Sequence, residues 1–410
     1  MSFLLGGLFG ILTSDENKKQ IIIIAIVIVM VITIIYSLFN VNKRKRKAAE
    51  TNYWSDFELH YLTSPDPVAE IVLSKSNDDK PVVEKIIEIE THPTINTALE
   101  PYNIGWEPAE ISISKSQVKI EYKNLFEKYR ITEDEKKNDD GRKFALTDWE
   151  SVLLENPTTS LKFHETSFHV VNKFKDELIR NRTLLGECAS IEPNKNLIPN
   201  SFCLHYILEF NDGNILIYKR SDNAAYYKNH FSFSGEEQIS DTDFQRNEGL
   251  MTLFKRAILE EIFPLGTKGH ESMELGEIDT RWDQIKTFVN STKIWSLIYE
   301  ADIANFSVMG FIKLNLSISE YKKEYKRLKQ LLLGSRYNEG ALFYASKNQL
   351  EDLIFSHTSK AKSVFLDEEI TIDKDFLHPS SRYRILRYLK AKLGRDISLI
   401  DYKKEKYKKS

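Results

Sequence analysis

FSFSGEEQISDTDFQRNEGLMTLFKRAILEEIFP, residues 231–264, is the stretch on which the reading of this chain turns. On a helix Arg256 and Glu260 stand four apart and can pair, while Glu261 turns towards a neighbouring face and keeps its carboxylate available. An Arg-x3-Glu-Glu helix by itself usually means no more than a surface salt bridge, so its flanks decide its weight. Upstream, residues 202–210 and 214–218 read as strands joined by Asn211, Asp212 and Gly213, a strong hairpin signal. Downstream, 294–299 reads as a strand and 319–333 as an amphipathic helix with Tyr321, Tyr325, Leu328 and Leu332 on one face. GALFYASKNQLEDL, from Gly340, then reads as a strand followed by a short helix.

With those flanks, residues 200–360 resemble the Nudix superfamily, whose signature is G-x5-E-x7-R-E-U-x-E-E-x-G-U with U apolar. Glu248, Arg256, Ile258, Glu260 and Glu261 fall at the signature spacing. The resemblance implies an α/β/α sandwich with a mixed β-sheet. In the family, carboxylates on this helix bind magnesium or manganese, which neutralises a substrate diphosphate and helps activate water. That implies catalytic candidates at Glu248, Arg256, Glu260 and Glu261, with Glu260 and Glu261 as the Mg2+ ligands. The chain departs from the signature at three places. Ala257 stands where the family has a glutamate, Phe263 replaces the glycine that ends the helix, and Thr242 replaces the first glycine unless Gly235 fills that role across a longer loop. With one carboxylate fewer, metal affinity and water activation both fall, unless Glu236, Glu237 or Asp241 substitutes.

Aromatic residues before the motif, Tyr226, Tyr227, Phe231 and Phe233, suit stacking on a nucleobase, and Lys219, Arg220, Lys228 or His230 suits phosphate. Core packing is the plainer account of half of them. The expected ligand-binding set is Arg220, Tyr226, Phe231, Phe233, Gly235, Arg256 and Glu261. His164, Glu165 and His169 have no metal-ligand spacing, and Cys188 and Cys203 form neither a CxxC pair nor a disulfide framework.

Ahead of all this, IIIIAIVIVMVITIIYSLF, residues 21–39, is an uncharged run about 28 Å long as a helix, enough to cross a bilayer. Lys43, Arg44, Lys45, Arg46 and Lys47 follow it, against Lys18 and Lys19 before it. That bias places the C-terminal part in the cytoplasm and the chain in the inner (cell) membrane as a single-pass protein. The apolar segment 3–12 is too short to span. The 57 basic and 60 acidic residues nearly cancel, to a net charge of -3, which argues against a DNA- or RNA-coating protein.

The expected organisation is a membrane anchor over 1–47, a linker with some strand character over 48–104, an upstream extension over 105–199, the Nudix-like domain over 200–360, and a C-terminal helix and basic tail over 361–410. Within the extension, 111–122 reads as a strand, 133–143 as a charged loop, and 149–154 and 168–179 as helical. A span joined to a Nudix-type domain with a decayed motif resembles the membrane-anchored Nudix effectors of bacterial cyclic-oligonucleotide antiphage signalling (CBASS). That resemblance implies a nucleotide or cyclic oligonucleotide ligand, homo-oligomerisation and membrane disruption. A membrane-tethered, magnesium-dependent pyrophosphohydrolase and a scaffolding membrane protein are the two alternatives.

Overall fold

The computed structural model describes Val29 and residues 70–77, 80–92, 100–117, 128–129, 142–150, 160–180, 199–221, 228–265, 273–300, 303–331, 340–356 and 358–393. The expected span over 21–39, except Val29, the basic stop, Tyr226, Tyr227, Cys188 and the basic tail lie outside them. Val29 is helical and exposed, and among the described residues no helix is long and apolar enough to cross a membrane. The chain divides into two compact units, Met1–Phe57 and Glu58–Ser410, and every described residue except Val29 belongs to the second.

In chain order this unit contains β1 (Glu70–Asn77), β2 (Lys80–Thr91), β3 (Ser112–Lys115), β4 (Arg142–Glu150), β5 (Ser160–Ser167) and α1 (Phe168–Arg180). Then come β6 (Ser201–Glu209), β7 (Asn214–Arg220), β8 (Phe231–Ser232), β9 (Gly235–Gln238), α2 (Met251–Ala257) and α3 (Leu275–Ile285). The remainder is β10 (Val289–Glu300), β11 (Asn305–Leu314), α4 (Ile318–Leu331), β12 (Gly340–Ser346), α5 (Lys347–Ser356), β13 (Thr358–Ser363), β14 (Glu369–Asp373) and α6 (Pro379–Leu393).

The chain is mixed α/β, built on an 11-stranded sheet in the order β1-β2-β10-β11-β6-β7-β12-β13-β14, with β8 beside β7 and β9 beside β6. Its centre is β6 and β11, buried at every position, as strands covered on both faces must be. They run parallel, which requires a crossover, and the motif helix α2 lies in it. The turn at 211–213 closes the β6–β7 hairpin, with Gly213 at φ +77°. Because side chains alternate along a strand, Phe202, Leu204, Tyr206 and Leu208 join α2, α3 and α4 in one hydrophobic core. Cys203, His205 and Glu209 point the other way, towards α6, where the Tyr388 hydroxyl donates to Glu209 at 2.6 Å. A smaller sheet, β3-β5-β4, meets the main one through Phe163 stacked edge-on against Phe202 and through Asn200, which both donates to and accepts from the Leu146 backbone.

Three expectations need revision. Trp149 belongs to β4, opposite Leu161, and does not begin a helix. A bulge between Leu146 and Asp148 interrupts the alternation that would have announced the strand. Arg142 and Lys143, expected at the end of a charged loop, open the same strand. The stretch expected as a linker with some strand character has that character in the hairpin β1–β2, but it is more than a linker, because β2 pairs with β10 as part of the main sheet.

Candidate functional site

The motif helix does not continue as regular α-helix. After Ala257 the backbone widens into a π-turn, Ile258–Ile262, and leaves at Phe263 in an extended conformation with φ −105°. An extended exit needs no glycine, which explains why Phe263 is tolerated. Ala257 is fully buried in the core. Arg256 is 3 % exposed and is ringed by oxygen. It donates to Glu237 at 2.7 Å, to Asp243 at 3.1 and 3.4 Å and to the Gln238 carbonyl, with Glu260 at 3.8 Å. Burial opposes its charge, but Asp243, Glu237 and Glu260 outweigh that and hold the guanidinium protonated.

The other carboxylates near the motif are engaged as well. Glu248 meets Lys255 at 2.8 Å and Arg246 at 3.5 Å. Asp241 is held by Lys115 and Arg142, and Glu237 by Arg256. Glu260 and Glu261 are half-buried on the π-turn. A magnesium site needs several oxygens converging on one point. Here Glu248 is tied to two cations and the signature position after Arg256 carries the buried methyl group of Ala257, so this donor set fits the ion poorly. Among the described residues no group of three or more His, Cys, Asp and Glu is arranged to hold a metal.

Of the expected ligand-binding residues, Phe231 and Phe233 are buried core rings, and the Phe233 amide donates to Ser381. Gly235 is fixed by close approach: a Cβ there would stand 2.0 Å from the Tyr206 hydroxyl oxygen. Its carbonyl accepts from Arg384 at 2.9 Å. Arg220, at the end of β7, has a different setting, because it lines a cavity of about 90 Å³ on the sheet face turned away from α2.

That cavity collects polar groups from separate elements: Lys143 from β4, Lys175 from α1, His205 from β6, Glu236 from β9, Glu300 from the end of β10 and Asn305 from the start of β11. Arg220 pairs with Glu236 at 2.9 Å, and Arg384 of α6 reaches the same carboxylate at 3.1 Å from behind. Burial works against the charged Glu236, yet the Arg220 and Arg384 guanidiniums that pair with it outweigh that and hold its pKa well below the ordinary range. Burial pushes His205 down to about 3, so its imidazole is neutral at pH 7. Glu300 is pushed up to about 7, first by burial, against the opposing hydrogen bond from Asn305. Cys203, also on the wall, is pushed by burial up to about 12 and stays a thiol. His205 Nδ1, Arg220 Nε and Glu300 Oε1 are buried and, among the described residues, have no hydrogen-bond partner.

Sequence reasoning reached Arg220 through its place before the motif and named Glu236 only as a substitute ligand. It passed over Lys143, Lys175, His205, Glu300 and Asn305. His205 did leave a signal, an imidazole in the middle of the largely apolar strand FCLHYILEF. Compared with known proteins, the chain matches no protein-family model and none of the curated proteins.

Proposed function

We propose that this chain is a membrane-anchored, Nudix-like nucleotide sensor that binds its ligand without hydrolysing it, and that binding gathers copies so that their spans disrupt the membrane in antiphage defence. The observation that carries the non-hydrolytic part is Arg256. Its guanidinium is committed to a buried ion-pair cluster with Glu237 and Asp243, beside a buried Ala257. In that arrangement the motif helix ties the loop from Gly235 to Asp243 onto the core, and it offers diphosphate chemistry little. The Nudix-like reading is supported by a signature-spaced helix lying in the crossover of a mixed sheet, followed by β12 and α5. The membrane reading rests on the apolar run at 21–39 and the basic residues after it.

The test uses full-length protein in detergent micelles, measuring binding of linear and cyclic nucleotides by calorimetry and magnesium-dependent hydrolysis of nucleoside diphosphate derivatives in parallel. Binding with turnover near background is the expected result. Robust magnesium-dependent turnover that disappears in Glu261→Gln would instead make the protein a tethered pyrophosphohydrolase. Absence of binding to every nucleotide tried would leave the scaffold.

A further inference from the structure

We propose that the cavity behind β6, on the sheet face away from the motif helix, is an oxyanion site that takes a phosphoryl group, from free phosphate or from the phosphate end of a larger ligand. It rests on the nucleotide reading only for what that remainder is.

Charge comes first. Lys143, Lys175 and Arg220 line the cavity, and Arg384 stands behind it, whereas Glu236 is its one carboxylate held in the charged form. Burial pushes the pKa of Glu300 up to about 7, so it takes a proton far more readily than an ordinary carboxylate and, as the acid, donates a hydrogen bond. The excess is positive, so a bound cation would be repelled and an anion drawn in. Burial lowers the pKa of Lys143 and Lys175, and an anion within reach would offset that cost.

Unanswered hydrogen bonds come second. His205 is 1 % exposed and Glu300 4 %, and each has an atom, Nδ1 and Oε1, with no hydrogen-bond partner among the described residues, although His205 Nδ1 stands 3.8 Å from Glu300 Oε2. Arg220 Nε is in the same condition. Buried polar atoms in folded proteins are nearly always satisfied, so three of them on residues that line one cavity mark a wall with hydrogen-bonding capacity still to be met, reached by a ligand once the side chains adjust. A neutral imidazole, a guanidinium N–H and a carboxylic acid can all donate, and a tetrahedral oxyanion has acceptors in enough directions to meet them.

Size comes third. A cavity of about 90 Å³ is several times what one ordered water needs, about 10–15 Å³. A phosphoryl group fits that space. The base and sugar of a larger ligand would lie towards the half-buried lining residues Phe168, Asn172 and Gln238.

The experiment is calorimetry and thermal shift on full-length protein in detergent micelles with inorganic phosphate, a nucleoside 5′-monophosphate and the parent nucleoside. Phosphate should bind and raise the melting temperature, the monophosphate should compete with it, and the nucleoside should do neither. Arg220→Gln and Lys143→Gln should each weaken phosphate binding by roughly ten- to a hundredfold, the loss of one charge-assisted contact. Arg220→Gln also strips Glu236 of a partner. Lys143 is half-buried and bonds to the neutral amide of Gln238, so Lys143→Gln should keep its unliganded melting temperature and report binding alone. If phosphate binds and the monophosphate fails to displace it, free phosphate is the ligand: the site stands and the nucleotide reading loses its phosphate end. No binding of phosphate, unchanged affinity in both variants, or a nucleoside as tight as its monophosphate would each overturn the proposal.

Discussion

Arg256 decides how the motif helix is understood. A buried guanidinium is stable only while its carboxylates are present, and those carboxylates only while it is. Arg256→Met should therefore destabilise the folded unit by about 3–5 kcal/mol, the usual cost of leaving buried charge uncompensated. A denaturation curve of the full chain checks this, and a midpoint unchanged from the parent would mean that the cluster is not holding the loop. Asp243→Asn in the same background should restore part of the loss, because it removes one of the stranded charges. The four-residue spacing of Arg256 and Glu260 was legible in the sequence. That the closer partners would be Glu237, 19 positions upstream, and Asp243, 13 upstream, was not, because it depends on the path of the intervening loop. The cavity was illegible for a related reason. His205, Glu300 and Asn305 each stand in or beside an apolar strand, and a single polar residue there reads as a satisfied core group until the fold sets several of them side by side.

At the level of elements, α6 does the cross-linking. Its Arg384 fixes β8 and β9 through Ser232, Gly235 and Glu236, its Tyr388 meets Glu209 on β6, and its Arg387 and Tyr383 reach Glu88 on β2 at 3.4 and 2.7 Å. Glu88 is 8 % exposed, so the hairpin β1–β2 is tied to the main sheet by a buried carboxylate as well as by its pairing with β10. Glu88→Ala should destabilise the fold by about 3–5 kcal/mol, since it leaves the Arg387 guanidinium without that carboxylate. Hydrogen exchange should rise first in β1 and β2 and leave β12 slow. Exchange that rises evenly across the sheet would show that α6 does not clamp β2 in particular. β11 was passed over, whereas β6, β7 and part of β10 were legible because continuous apolar runs and the Asn211-Asp212-Gly213 turn are local signals. The membership of β2 in the sheet was not, since its neighbour β10 lies some two hundred residues away, on the order of distance at which local pattern carries no information. In the small sheet β3 falls inside the strand read over 111–122, whereas β4 was hidden by the bulge that gave Trp149 the wrong period.

For the molecule as a whole, the proposed sensor has to convert binding in one compact unit into an event in a run of apolar residues near the other end of the chain. A single span rich in isoleucine and valine has no pore of its own, so membrane damage demands several copies, and assembly is the step a ligand can control. The coupling can be no larger than the ligand's preference for the assembled arrangement over the dispersed one. Charged substitutions at Ile28 and Ile32 place ionisable groups in the middle of the proposed span, where they cost about 2.5 kcal/mol or more each, and should abolish membrane depolarisation. The same substitutions lie far in sequence from Lys143, Arg220 and the rest of the cavity wall, so ligand binding in detergent should be unchanged. Conversely, Lys143→Gln should lower ligand affinity and raise by the same factor the ligand concentration needed for depolarisation, while leaving the maximum unaltered. Full-length protein expressed with and without candidate nucleotides, followed for membrane potential and for cross-linking between copies, separates these cases. Depolarisation that needs no ligand would count against a sensor. Ligand-driven cross-linking with the membrane potential intact under every condition would place the assembly in the folded unit alone and favour a scaffold.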